Sequence, residues 1–275
     1  MTEPRTTHPV AEPPTIGGVS DFWNRVAHAP SVVLFLDFDG TLAPFHADRM
    51  QAYPLPGAMD AVKSISTQPR TSVAIVSGRP ISEIMTLIGD PEIIISGAHG
   101  YELRTPDGGY QVIPLPAEQR LLLDSARETA LRIFPAERVE RKAASVAAHV
   151  RGMHPAAAAD MVARLEQHWR SLSDSGLVDF RPFNGGLELR ASGRTKGTVI
   201  NEMLASAPAD ILPIYIGDDD TDEDAFGALA DRGIGIKVGP ANAVTLAIGH
   251  LDNCEAVRDM LIYWAGREIS HGAVS

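Results

Sequence analysis

Short apolar runs alternate along much of the chain with segments whose apolar positions recur every three or four residues. The runs "SVVLFL" (31–36), "TSVAIV" (71–76), "EIIIS" (92–96), "ILPIYIG" (211–217) and "RGIGIKV" (232–238) lack polar alternation, which predicts strands covered on both faces, as in a parallel sheet. Helical spacing marks "GAMDAVKSIS" (57–66), "ISEIMTLI" (81–88), "TKGTVINEMLA" (195–205), "DEDAFGALA" (222–230) and a terminal stretch from Cys254 to Arg267. Strands alternating with helices predict βαβ units.

The middle of the chain breaks this rhythm. A hairpin is expected around Asp107-Gly108-Gly109, then a helix from Glu118 to Phe134, the strand "SVAAHVR", a helix over 155–173, and the strands "GLVDFRP" and "GGLELR". Strands with helices segregated from them describe an α+β unit inserted into the larger one. The expected fold is therefore α/β, a Rossmann-like parallel-sheet core over residues 20–100 and 191–275 carrying an α+β cap over 101–190. Residues 1–19, punctuated by Pro and Gly and without a hydrophobic period, are expected to be a disordered tail.

Composition narrows the partners. Lys and Arg total 24 against 35 Asp and Glu, a net charge of −11, which disfavours broad attraction to nucleic acid and requires local positive groups or a metal to hold an anionic substrate. A single cysteine, Cys254, excludes an intrachain disulfide and suits a reducing compartment. No apolar run approaches the roughly 20 residues of a membrane span, and "MTEPRTTHPVAEPPTIGGVS" contains no signal-like apolar region. A soluble cytoplasmic protein acting on a small molecule, without nucleic acid or membrane, is the expectation.

Two of the apolar runs end in acids. "VVLFLDFDGT" places Asp37 and Asp39 at the carboxyl end of its strand, and "IYIGDDDTDEDAF" places Asp218, Asp219, Asp220 and Asp222 at the end of another. That edge of a parallel sheet is where ligands bind. Asp39-Gly40 alone also describes a simple turn, and "TDEDAF" alone also charges a helix N-terminus favourably. Together the acids form an oxygen-only set suited to Mg2+. Starting from Asp218, an EF-hand loop fails, with Glu223 where Gly is needed and Leu229 where Glu is needed. No Walker A sequence occurs, and the glycines of "RGIGIKVG" have the wrong spacing for a dinucleotide fingerprint.

"DFDGT", "VSGR" (76–79), Lys196 in "GRTKGT" and "GDDDTDED" occur in the order of the four motifs of haloacid dehalogenase superfamily phosphatases, which the chain resembles. Within that superfamily, "ISGAHGYELR", "ERKAASVAAHVR" and "GLELRASGRTKG" resemble segments of the trehalose-phosphatase family, so the likeness runs from about Ser31 to Trp264. It departs in the cap, where family members often carry an aromatic at Val150, a basic residue near Asn184 and proline at Ala191.

The resemblance implies a Mg2+-dependent hydrolysis of trehalose 6-phosphate through an aspartyl-phosphate, the last step of trehalose biosynthesis. It assigns Asp37 as nucleophile and Asp39 as general acid and base, with Thr41, Ser77, Gly78 and Lys196 on the phosphate. It assigns the metal to Asp37, Asp39, Asp218 and Asp222, with Asp219 as an alternative, and the sugar to His99, Glu102, Lys142, His149, Arg151 and Glu188. Gly100 and Gly193 are the expected hinges of cap closure. A separate synthase would supply the substrate to a monomer or small homo-oligomer. The alternatives are a phosphatase for another sugar phosphate and a catalytically silent sugar-phosphate sensor.

Overall fold

The computed structural model describes residues 12–183 and 185–267; Asn184 and the first eleven residues of the expected tail lie outside the described residues. In chain order, α1 (Phe22–His28), β1 (Ser31–Leu36), α2 (Ala58–Ser66), β2 (Thr71–Val76), α3 (Ile81–Ile88) and β3 (Ile94–Gly97) lead into a short antiparallel pair, β4 (Glu102–Arg104) and β5 (Tyr110–Val112). The inserted unit comprises α4 (Ala117–Ile133), β6 (Val139–Arg141), β7 (Ser145–His149), α5 (Pro155–Ser173), β8 (Val178–Phe183) and β9 (Gly186–Ala191). The chain then returns through α6 (Lys196–Ala205), β10 (Ile211–Gly217), α7 (Glu223–Leu229), β11 (Ile234–Val238), β12 (Gly249–Leu251) and α8 (Cys254–Ala265).

Eight strands form one sheet in the order β12-β11-β10-β1-β2-β3-β4-β5. From β12 to β3 all neighbours are parallel; β4 and β5 are antiparallel. The unbroken apolar runs follow from two-sided cover. On one face Leu34, Leu36, Ile214 and Ile216 pack with Val62 and Ile65 of α2 and with Met260 and Trp264 of α8. On the other, Val33, Phe35 and Tyr215 pack with Val199 and Ile200 of α6 and Phe226 of α7. β1 lies between β2 and β10, so the strand order reverses there, and a crevice opens beyond the carboxyl ends of β1 and β10.

The second sheet is antiparallel, β6-β7-β9-β8. Val146, Ala148, Val178, Leu187 and Leu189 face α4 and α5, where Leu165 and Trp169 complete a separate core. By strand alternation Ser145, His149, Glu188, Arg190, Asp179 and Phe183 point to the opposite face.

Two boundaries differ from those expected. β4 and β5 extend the large sheet past residue 100, so the inserted unit begins only after Val112. The expected tail ends before residue 19, because Ile16 and Val19 are buried in the large core and Gly17 pairs with His250 on the β12 edge. Nearby the Trp23 indole N–H donates to the Pro14 carbonyl at 2.8 Å. Two isolated apolar residues among Pro and Gly carry no period, so their anchoring had no local sign.

Candidate active site

The amide of Asp37 continues the β1–β10 ladder, donating to the Ile216 carbonyl at 2.9 Å, and this fixes the first acid where the sheet ends. Gly40 then turns the chain with φ +77°; a Cβ there would stand 2.1 Å from Asp218 Oδ2. Only glycine meets both demands. The loop after β1 thereby lies directly against the loop after β10, and oxygens of Asp37, Asp218 and Asp222 come within 4.8 Å of one another.

Lys196 reaches this cluster from the first turn of α6. Its buried ammonium donates to Asp37 Oδ1 at 2.8 Å and to Asp222 Oδ1 at 2.6 Å. Burial opposes its charge, yet Asp37 and Asp222 keep its pKa above that of an ordinary lysine. Burial pushes the Asp37 carboxyl well up, Lys196 opposing it and Asp222 adding to it. Asp218 is pushed up to about 7 by burial and then by the negative charges of Asp222 and Asp219.

Asp222 is saturated. Oδ1 accepts from Lys196 and from the Tyr215 hydroxyl at 2.5 Å, and Oδ2 accepts from the amides of Asp218 and Asp219, each at 2.9 Å. It organises the acid loop and anchors Lys196. By contrast, Asp218 Oδ1 and Thr41 Oγ1 are buried without a hydrogen-bond partner among the described residues. An orphaned carboxylate oxygen in a cluster of acids fits a hard cation. The oxygen-only donors of this site therefore suit Mg2+.

Asp39 points to the mouth of the crevice and is gripped by Arg79, whose Nε and Nη2 donate to its two oxygens at 2.6 and 2.5 Å. Arg79 also donates to the Arg49 carbonyl at 2.8 Å. Ser77, buried at the end of β2, accepts from the Arg79 amide at 3.1 Å. A Cβ at Gly78 would fall 2.5 Å from the His99 ring, so the missing side chain lets the imidazole lie on this turn. His99 itself holds φ +56°, and burial, assisted by Arg190, lowers its pKa to about 3, which keeps the ring neutral.

A cavity of about 470 Å3 joins these groups to the small sheet. Its floor has Asp37, Asp39, Ser77, Gly78, Lys196 and Asp219, while His99, Lys142, His149, Arg151 and Glu188 line the rest. Glu188 accepts from Lys142 Nζ at 2.9 Å and Ser145 Oγ at 2.7 Å; burial works against its charge, but these partners hold its pKa at about 2. His149 pairs with Glu140 at 3.0 Å. Arg151 donates to the Ala47 carbonyl, tying the cap to the loop after β1.

Glu102 is not among these lining groups. Its Oε2 accepts from the Ile81 amide at 2.7 Å, capping the start of α3, and the side chain is buried there. Thr41, Asp218 and Asp222 are not among the residues lining the cavity; the Thr41 and Asp222 side chains are fully buried, whereas Asp218 is partly exposed. The cavity also exposes side chains without an expected role: Arg79, Arg49, Phe45 and Phe183. Arg79 stood within "VSGR" and could have been found there. Tyr215 could not, since an isolated tyrosine in a buried strand reads as core.

A sequence profile of trehalose-phosphatase matches residues 35–246. A trehalose-phosphate phosphatase of Mycobacterium tuberculosis is 34% identical over 221 residues, 78% of this chain and 54% of that protein; the chain thus spans about half the length of the curated relatives it matches. Among solved structures, the C-terminal domain of C. albicans trehalose-6-phosphate phosphatase superposes with a TM-score of 0.71 at 22% identity, covering 88% of this chain and 94% of that one. The C-terminal domain of a Candida albicans trehalose synthase regulatory protein gives 0.63 at 11% identity, with 89% and 97% covered. A phosphatase of the haloalkanoate (HAD) superfamily from Bacteroides thetaiotaomicron gives 0.56 at 17%, with 85% and 95% covered. These structural likenesses establish the fold.

Proposed function

The chain belongs to the trehalose-phosphatase family, and from that premise we propose that it is a Mg2+-dependent phosphatase releasing trehalose and inorganic phosphate from trehalose 6-phosphate. The observation that carries the reading is the buried Lys196 ammonium, held between Asp37 and Asp222 at the floor of a cavity whose far wall is polar enough for a sugar. A buried cation beside a carboxylate nucleophile suits a site that receives a second anion, the phosphoryl group.

In this mechanism Lys196 and Ser77 bind phosphoryl oxygens, and an Asp37 oxygen attacks phosphorus. The bond from phosphorus to the sugar oxygen breaks, and protonated Asp39 gives that oxygen its proton. Asp39, now a carboxylate, takes a proton from water as the water oxygen attacks the aspartyl-phosphate. Phosphate leaves, and Asp37 and protonated Asp39 are restored. The Arg79 fork positions Asp39 by holding both of its oxygens, and one of the two hydrogen bonds would have to break for the proton to be carried. Mg2+ would be held by Asp37, Asp218 and the Asp39 carbonyl, with Asp222 or Asp219 through water, since the Asp222 oxygens are already engaged. When bound, the ion supplies positive charge that offsets the phosphoryl oxygens.

Glu188, Lys142 and His149 supply paired donors and acceptors for glycosyl hydroxyls, the kind of site that discriminates strongly. A separate synthase reaction would form the substrate, and a cytoplasmic setting suits both steps. No helix of the described residues is long and apolar enough to cross a membrane.

Phosphate release from trehalose 6-phosphate, glucose 6-phosphate and sucrose 6-phosphate, with Mg2+ and with chelator, tests the reading on wild type and Asp37→Asn. Metal-dependent preference for the trehalose ester, reduced at least a thousandfold in the variant, is expected. Preference for another ester would overturn the substrate, and no turnover of any would overturn the activity.

A further inference from the structure

Two large apolar side chains in the cavity have no part in the phosphoryl chemistry. Phe45, on the loop after β1, is 73% exposed, and Phe183, at the end of β8, is 41% exposed. Open phenyl rings in a cleft of charged groups call for an apolar surface to cover them.

Phe183 is held in a defined pose. Gly186 pairs with it across the sheet, and a Cβ at Gly186 would come within 2.7 Å of the Phe183 ring. The ring therefore lies across its neighbour strand because that neighbour has no side chain. His149 meets it edge-on, with centroids 5.7 Å apart and planes at 69°, and Glu140 fixes His149 in turn. The Arg151 contact to Ala47 brings the loop that carries Phe45 to this same end of the small sheet.

The sheet register supplies a length scale. Glu188, with Lys142 and Ser145 on it, forms one row of polar groups; His149, Gly186 and Phe183 form the next row outward, two residues along β9. Two residues of strand span about 7 Å, comparable with one pyranose ring. A ring bonded to the phosphate and read by Glu188 and Lys142 would place a second ring at the aromatic row. Pyranose rings present C–H faces that pack on aromatic π-faces.

We propose that Phe45 and Phe183 form an aromatic platform for the second ring of a disaccharide phosphate, so that this outer row sets the preference for two-ring over one-ring esters. The inference rests on the sugar-phosphate reading above and adds to it the residues that measure substrate length.

The test compares Phe45→Ala, Phe183→Ala and Phe183→Trp with wild type. Binding of trehalose 6-phosphate and glucose 6-phosphate is measured by calorimetry with Mg2+ in chains that also carry Asp37→Asn, so that the ester is not consumed, alongside kcat/KM for both in chains that keep Asp37. Stacking contacts removed by alanine commonly cost about 1–3 kcal/mol, so affinity and kcat/KM for the two-ring ester are expected to fall about 5- to 150-fold, with less than twofold change for glucose 6-phosphate. Phe183→Trp is expected to restore the preference, and the exposed Phe45 gives a variant that does not disturb a core. Parallel loss for both esters, or no loss for either, would overturn the platform, as would a wild-type chain that binds no trehalose 6-phosphate. A wild type that binds the ester, weakens on alanine substitution, yet releases no phosphate would leave the platform standing and overturn only the proposed activity.

Discussion

Lys196→Met replaces a buried ammonium with an apolar chain of similar length and leaves Asp37 and Asp222 facing each other without their shared cation. Both carboxylates are buried, and Asp218 and Asp219 stand close by. Removing one partner of a buried ion pair costs about 3–5 kcal/mol, because the desolvated charge that remains has nothing to offset it. For chains of about 150–250 residues each kcal/mol moves Tm by about 2–4 °C, so a fall of about 6–20 °C is expected at neutral pH. The sign of its pH dependence follows from the raised Asp37 and Asp222 carboxyls. A carboxyl whose folded pKa lies above its unfolded value contributes most below the unfolded value, and that contribution is lost as pH rises through the folded one. Without Lys196 both are pushed further up, so the deficit should be larger at pH 8 than at pH 5, shrinking as acidification protonates them. Calorimetric unfolding of wild type and variant across that range, without metal, measures it. A variant as stable as wild type at pH 8, or a deficit that grows on acidification, would refute the electrostatic account of the cluster.

His99→Asn tests the neutral imidazole, and Asn suits the left-handed backbone at this position. Burial lowers the His99 pKa from 6.5 to about 3, so its share of stability is present above pH 6.5 and is lost as pH falls toward 3. Urea unfolding at pH 7 and pH 5 should show wild type losing about 1–2 kcal/mol more than the variant over that interval; equal losses would contradict it. Glu102→Gln weakens the charged cap of α3, so a loss of about 1 kcal/mol in unfolding free energy is expected with the ratio of trehalose to glucose ester turnover unchanged. A selective loss of disaccharide turnover would return Glu102 to the sugar site.

What could be read from sequence was local or motif-bound. The runs at 31–36 and 211–217 announced buried parallel strands because two-sided cover leaves no polar alternation, and the acids at their ends marked the edge where the cavity opens. Glu188, Lys142 and His149 came from likeness and do share the cavity with Asp37. Glu102 went astray because a carboxylate three residues beyond a histidine carries no mark of whether it faces a ligand or the amide of Ile81. The Tyr215 hydroxyl, the Arg79 fork and the four donors around Asp222 are products of tertiary packing, with partners up to 40 residues apart for Arg79 and Asp39. Short strands such as β6 and β12 were missed for the same reason, since three residues are too few to show a period.

Fold likeness extends both to a phosphatase domain and to the domain of a regulatory protein, so the architecture alone does not separate turnover from sensing. The separation has to come from side chains. A sensor for a sugar phosphate needs Lys142, Glu188 and a cationic floor, and gains nothing from a buried carboxylate whose ionised form is disfavoured by burial. This chain keeps Asp37 ionisable through Lys196, and Asp222 with Tyr215 holds Lys196 in place. It also keeps Asp39 at the mouth of the cleft, two residues beyond Asp37, under the guanidinium of Arg79. Each of these arrangements buries or constrains charge at a cost in stability. Under the proposed mechanism they would supply what phosphoryl transfer requires and binding does not: a nucleophile, a proton carrier beside it, and fixed positive charge to hold the transferred group. On the proposed reading the arrangement favours hydrolysis over sensing, and Asp37→Asn offers the sharpest contrast, since it should abolish phosphate release while the sugar phosphate still binds against the cavity wall that carries Glu188 and Lys142.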